Sequence, residues 1–151
     1  MPIGETVITL VGNLTADPEL THTDQGVARL TFNVASNSRV WDKTRAEWGE
    51  GRTLFLRCTA WRWIAENAAA SLTKGTRVIV TGALRQFDYT APDGTVRTGF
   101  GLDVDDIAVS LRYATATVTR TGRTNTTQPV TGNDPWATAT PAGKYSDQPP
   151  F

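Results

Sequence analysis

The run Leu54-Phe55-Leu56-Arg57-Cys58-Thr59-Ala60-Trp61 constrains this chain most, because successive side chains of an extended segment point to opposite faces. Leu54, Leu56, Cys58 and Ala60 fall on one face, all small or apolar, and make it a core surface. Phe55, Arg57, Thr59 and Trp61 fall on the other, where a solvated strand is ordinarily polar. Aromatic rings flanking a guanidinium on an outer sheet face are what unpaired nucleobases stack against. The pattern points to a β protein that binds single-stranded nucleic acid.

Strand signals recur on both sides of this run. Thr6 to Asn13 is rich in β-branched residues, with Gly12 marking a bulge or bend. Asp17-Pro18 opens a connection and Asp24-Gln25-Gly26 signals a turn. A second strand from Val27 to Ser36 places Leu30, Phe32 and Val34 inward and Arg29, Thr31 and Asn33 outward. Residues 37–53 read as a long, charged loop bearing Trp41 and Trp48, and long ordered loops are usually functional. Arg62 to Leu72 reads as a short helix with Ile64, Ala68 and Leu72 at four-residue spacing, ended by Lys74-Gly75.

Thr76 to Arg85 is a fourth strand, with Val78, Val80 and Leu84 on one face and Gly82 as a bend. Asp93-Gly94 signals a hairpin turn. A fifth strand runs from Val96 to Val104 and on toward Val109, with Val96, Phe100, Leu102 and Val104 on one side. Phe32 and Phe100 are assigned to the core. The order βββαββ predicts an all-β fold with one short helix, the five-stranded, partly open barrel of the OB-fold, over residues 1–112. Tyr113 to Thr119 alternates Ala or Val with Thr and is expected to add a strand over 113–120. In 121–151 apolar residues are too sparse to offset the entropy of ordering, so a disordered tail is expected there.

Total charge decides little, since 15 basic and 15 acidic residues cancel. Its distribution says more: between Arg29 and Leu102 the 11 Lys and Arg outnumber the 6 Asp and Glu, enough for a positive groove on a neutral molecule. The lone cysteine, Cys58, excludes an intramolecular disulfide and fits a reducing compartment, and its inward position predicts an inert buried thiol. No apolar run approaches the ~18 residues of a membrane span and no leader pattern opens the chain. A soluble, cytoplasmic, nucleoid-associated protein without membrane contact is expected.

Enzymatic readings find little support. His22 is the single histidine, which leaves no His/Cys metal set, and no serine stands in a nucleophile-elbow context. Asp103, Asp105 and Asp106 read as surface charge, and Gly143-Lys144-Tyr145-Ser146 lacks the upstream glycine of a phosphate loop. No catalytic residue, metal or cofactor is expected.

Binding single-stranded nucleic acid takes a cationic track for phosphates and planar groups for bases. The candidate phosphate contacts are Arg29, Arg39, Lys43, Arg57, Arg62, Lys74, Arg85 and Arg97. The candidate stacking residues are Trp41, Trp48, Phe55, Trp61, Phe87 and Tyr89, each able to contribute ~1–3 kcal/mol per base. Trp48, beside Gly49, also reads as a loop anchor. Trp63, on the short helix, reads equally well as packing against the barrel.

The stretches Val7 to Leu20 (VITLVGNLTADPEL), Leu56 to Ala68 (LRCTAWRWIAENA) and Leu72 to Arg85 (LTKGTRVIVTGALR), found together and in order, resemble the bacterial single-stranded DNA-binding protein family over residues 3–111. The wording of 56–68 and the alternating run 113–119 are most similar to its actinobacterial branch. The resemblance implies an OB-fold that pairs through its first strands and assembles as a homotetramer with single-stranded DNA wrapped around it. It places base stacking on Trp41, Phe55, Trp61 and Tyr89, and makes 113–119 a clamp between subunits. It also implies partner docking through the chain's tip, here Asp147, Pro149, Pro150 and Phe151. Family tails usually carry several acids before the terminal Pro-Phe, whereas Asp147 is the only nearby acid here. Weakened recruitment of replication and repair proteins is therefore expected, as in a specialised paralogue. An OB-fold adaptor, for which DNA is secondary, is the alternative, and an RNA-binding OB protein a weaker third.

Overall fold

The computed structural model describes residues 3–122. Seven elements follow one another: β1 (Val7–Leu14), β2 (Glu19–His22), β3 (Ala28–Asp42), β4 (Glu47–Trp61), α1 (Arg62–Ser71), β5 (Arg77–Thr90) and β6 (Val96–Val109). The strands pair in the order β1-β5-β6-β4-β3-β2, and β1 also pairs with β3. That second pairing closes five strands into the expected barrel, with β2 appended to β3. Every neighbouring pair is antiparallel except β4 with β6, where Arg57, Cys58 and Thr59 run parallel to Gly101, Leu102 and Asp103.

The barrel forms where period-2 alternation puts apolar side chains inside. Leu30, Phe32 and Val34 of β3, Leu56, Cys58 and Ala60 of β4, Val78 and Val80 of β5, and Leu102 and Val104 of β6 are all buried. Helix α1 closes one end by burying Ala65 and Ala68, with Leu72 just beyond it. The helix has no capping side chain and no acid in its first turn, so packing rather than end chemistry holds it.

Cys58 is fully buried in this interior, donating only a weak bond to the Leu56 carbonyl at 3.7 Å. Burial pushes its thiol pKa from 9.0 up to about 12. Above pH 9 the unfolded chain ionises its thiol while the folded chain keeps the proton, so folding stability falls as pH rises from 9 toward 12. Chemical denaturation across that range should show a loss of up to about 1.4 kcal/mol per pH unit that Cys58→Ala lacks. An equal slope in the variant would place its cause in other groups.

Several sequence expectations need correction. Residues 37–53 are not a loop: β3 and β4 continue outward as a hairpin, with Trp41 opposite Trp48 and the turn held by the Asp42 carboxylate accepting from the amides of Thr44 and Arg45. Beyond the barrel there is no interior to face, so these strands are held by pairing alone and carry no apolar alternation. The β5–β6 hairpin projects in the same way. Phe100, assigned to the core, is 55% exposed, and Leu54 is 53% exposed, because each lies where its strand has left the barrel. Trp63, 62% exposed, does not pack against the barrel.

Gly82, read as a bend, sits at a bulge where the β5–β6 register shifts. At Gly12 the β1–β5 register runs through unbroken, so no bulge occurs there. The short strand β2 went unanticipated. Residues 113–120, expected as a strand, form neither helix nor strand in this single chain. The tail from 123 onward, with Asp147, Pro149, Pro150 and Phe151, lies outside the described residues.

Candidate nucleic-acid interface

The register of four adjacent strands assembles the outward residues of the barrel into one surface. Trp61 of β4 stands beside Arg29 of β3, Thr59 beside Thr31, Arg57 beside Asn33, and Phe55 beside Ala35. On the other edge of β4, Arg57 neighbours Gly101, which in turn pairs with Arg85 of β5. A cleft of about 420 Å³ runs across these strands, lined by Arg29, Arg57, Trp61, Arg85, Phe87 and Gly101. Phe55 continues the same face along β4 and is 66% exposed, while Trp61 is 40% exposed. The Arg29 guanidinium lies 6.0 Å from the Trp61 ring centroid and also donates from Nε to the Thr21 hydroxyl at 3.4 Å.

Phe87 enters this surface through a feature of β6. Its partners across the strand are Gly99 and, diagonally, Gly101, and its ring lies over their bare backbone. A Cβ at Gly99 would come within 2.9 Å of the ring's Cε2 and Cζ, so a side chain there would push the ring away. Tyr89 follows two residues later, its centroid 6.3 Å from that of Phe87 and the two rings tilted by 48°. Trp41 and Trp48 form an edge-to-face pair at 5.4 Å on the other hairpin. Each of these rings is exposed.

The cations divide by their partners. Arg57 and Arg29 lie in the groove without an ion pair among the described residues. Arg85 is held by Asp103 at 2.5 Å, and Arg97 by Asp93 at 3.2 Å in the β5–β6 turn. Asp93 also accepts from the Thr95 hydroxyl and amide and from Arg97, and these bonds hold its carboxyl below the usual range.

The remaining cations lie elsewhere. Lys43 stands at the β3–β4 turn. Arg62, exposed and in the left-handed region at φ 57°, borders a separate hollow beside Trp61 and the 23–25 turn. Lys74 lies in the turn after α1, its amide donating to Asp17 at 2.7 Å, away from the groove. Arg39 is carried to a second cleft with Arg77 and Arg112. No cluster of three or more metal-ligating side chains occurs among the described residues.

A five-stranded barrel with a helix after its third strand, bearing an aromatic and cationic groove on its outer face, is an OB-fold domain of the binding kind. The chain belongs to the single-strand binding protein family, whose model matches residues 6–110. It is 46% identical to the single-stranded DNA-binding protein of Mycobacterium tuberculosis, over 98% of this chain and 99% of that one. It is 53% identical to that of Bifidobacterium longum, over 78% of this chain and 54% of the relative. Among solved structures, the small single-stranded DNA-binding protein from Streptomyces coelicolor matches with a TM-score of 0.65 and 31% identity, covering 72% of this chain and 97% of that one. These relatives come from the actinobacterial branch that the sequence motifs indicated.

Proposed function

We propose that this protein binds single-stranded DNA with little regard to sequence, as a homotetramer, and protects it during replication, recombination and repair. The observation that carries the reading is the outward face of β4, where Phe55 and Trp61 flank Arg57 and stand exposed beside a cationic cleft. Bases stack on Phe55, Trp61 and the hairpin rings Trp41, Phe87 and Tyr89, while Arg29 and Arg57 take phosphates. Arg85, held by Asp103, orients the groove wall and exchanges its carboxylate for a phosphate only at a cost. The binding involves no catalytic step, metal or cofactor. The tip at Asp147, Pro149, Pro150 and Phe151 recruits partner proteins weakly, consistent with a specialised paralogue, because a single acid gives little electrostatic steering.

Tryptophan fluorescence during titration with oligothymidine at two salt concentrations tests the reading. Saturable quenching that weakens with salt is the expected result. Absent quenching together with absent binding in a mobility assay would mean that the aromatic face meets protein, and the adaptor role would replace this one. Arg57→Ala should lower the magnitude of the log–log salt slope by about 0.7, the value of one phosphate contact on a single strand. Arg85→Ala should change it less, since its charge is already balanced by Asp103. Equal effects would show that the ion pair opens on binding.

A further inference from the structure

Trp61 lines a second hollow besides the groove. Thr23, Asp24, Gln25 and Val27, between β2 and β3, together with Trp61 and Arg62, border an open space of about 570 Å³. Asp24 and Arg62 bring opposite charges to it, yet neither has an ion-pair partner among the described residues. Arg62 stands there under strain, since its φ of 57° lies in the left-handed region that suits glycine. Backbone strain of this kind gathers at ligand sites. The turn opposite is fixed without the Asp24 side chain. The Thr23 amide donates to the Val27 carbonyl at 3.0 Å, the Gly26 amide to the Thr23 carbonyl at 2.7 Å, and the Val27 amide to the Thr23 hydroxyl at 3.2 Å. An indole, a carboxylate and a guanidinium without ion-pair partners thus share one hollow. None of its lining residues belongs to β1 or to the segment after β6, where the family resemblance places subunit contacts.

Those three groups match one base better than the others. Guanine presents two adjacent donors, N1–H and the N2 amino group, and two adjacent acceptors, O6 and N7. A carboxylate meets the first pair, a guanidinium the second, and the indole takes the π-face. Adenine sets its amino group between two ring acceptors, and cytosine sets its own beside one. Thymine offers a single N–H between two carbonyls. Each of these three leaves one of the charged groups poorly met. Bases of an unpaired strand are free to turn both edges toward protein in this way.

We infer that this hollow is a guanine subsite, in which Trp61 stacks the base, Asp24 accepts from N1–H and the N2 amino group, and Arg62 donates to O6 and N7. The inference rests on the single-stranded DNA reading above and adds to it a base preference at one position. Arg29, which approaches the same indole, lines only the groove and takes no part in the reading of the base. The preference concerns one base among several stacked ones and is small beside the stacking itself, so tolerance of sequence along the strand is kept.

The test uses oligothymidines of about 10 nucleotides, within the ~4–16 that one barrel covers, each with one central guanine or adenine. Both purines stack on Trp61, so the ratio of their affinities isolates the edge contacts. The full-length protein should bind the guanine strand about fivefold more tightly than the adenine strand. Hypoxanthine, which lacks the N2 amino group, and 7-deazaguanine, which lacks N7, should each lose most of that ratio. Asp24→Ala should bind guanine and hypoxanthine strands alike, and Arg62→Gly should bind guanine and 7-deazaguanine strands alike. Asp24 is exposed and outside the bonds of its turn, and glycine suits the backbone at position 62, so both variants keep the fold. Equal binding of the two purines by the unaltered protein, or a guanine preference that survives both variants, would overturn the subsite. If the unaltered protein binds none of these strands, the single-stranded DNA reading itself has failed.

Discussion

The Phe55→Ala, Trp61→Ala double variant is expected to bind single-stranded DNA at least about thirtyfold more weakly, taking ~1–3 kcal/mol for each lost base stack. The loss should be the same for oligothymidine and for mixed sequence, because every base offers a π-face. Both rings lie on the outer face of β4, opposite the buried Leu56, Cys58 and Ala60, so removing them opens no cavity in the barrel. The Arg29–Trp61 contact goes with Trp61, worth about 0.5–1 kcal/mol at an exposed site. Affinity should therefore fall while thermal unfolding hardly moves. Unchanged binding would sink the stacking assignment. A fall in affinity matched by a large drop in melting temperature would instead trace the loss to the fold.

Gly12→Ala is expected to act in the opposite way, lowering stability by about 3 kcal/mol through backbone displacement. The barrel closes where β1 meets β3, at Asn13 opposite Ala35 and Leu14 opposite Val34, with the amide of Thr15 donating to the Asn33 carbonyl at 3.1 Å. A Cβ on Gly12 would drive into the Ala35 carbonyl oxygen and lie 2.8 Å from the Ala35 carbonyl carbon and from Val34 Cγ1. A carbonyl in a closed sheet cannot turn aside as a flexible side chain can, so the two strands must separate. Against the 5–15 kcal/mol typical of a whole domain, this is a large share, and the melting temperature should fall by more than about 10 °C. The comparison must be made at one protein concentration, since assembly raises apparent stability. A loss under about 1 kcal/mol would mean that the closure yields easily and that β1 depends on β5 alone.

The two expectations separate what the barrel's faces do. Inward positions are expected to supply stability and tolerate little; under the proposed function, outward positions on β3, β4, β5 and β6 supply affinity and can be changed at small cost to the fold. Phe87 belongs to the second group, yet its position depends on Gly99 and Gly101 leaving room for its ring. Two glycines at alternate positions of one strand, opposite an aromatic on the next, are the sequence signal for that platform. The alternation is visible in Gly99-Phe100-Gly101, but it acquires meaning only with the β5–β6 register known.

The amino-acid sequence by itself determined the five barrel strands, the helix between the third and fourth of them, the buried thiol of Cys58 and the outward trio of Phe55, Arg57 and Trp61. These follow from period-2 and period-4 patterns, which appear wherever one side of an element meets an interior. It also carried the family, through motifs lying within that same packed region. The tertiary structure alone decided what lies beyond the interior. Hairpins that project from the barrel are held by strand pairing, so 37–53 had no apolar period to betray it, and Phe100 and Leu54 kept an inward parity with no core left to enter. Pairing across the sheet also decided which cations meet acids, as Arg85 meets Asp103, and which do not. Arg39, Arg77 and Arg112 lie far apart along the chain, and only closure of β1 onto β3 and β5 brings them to one cleft.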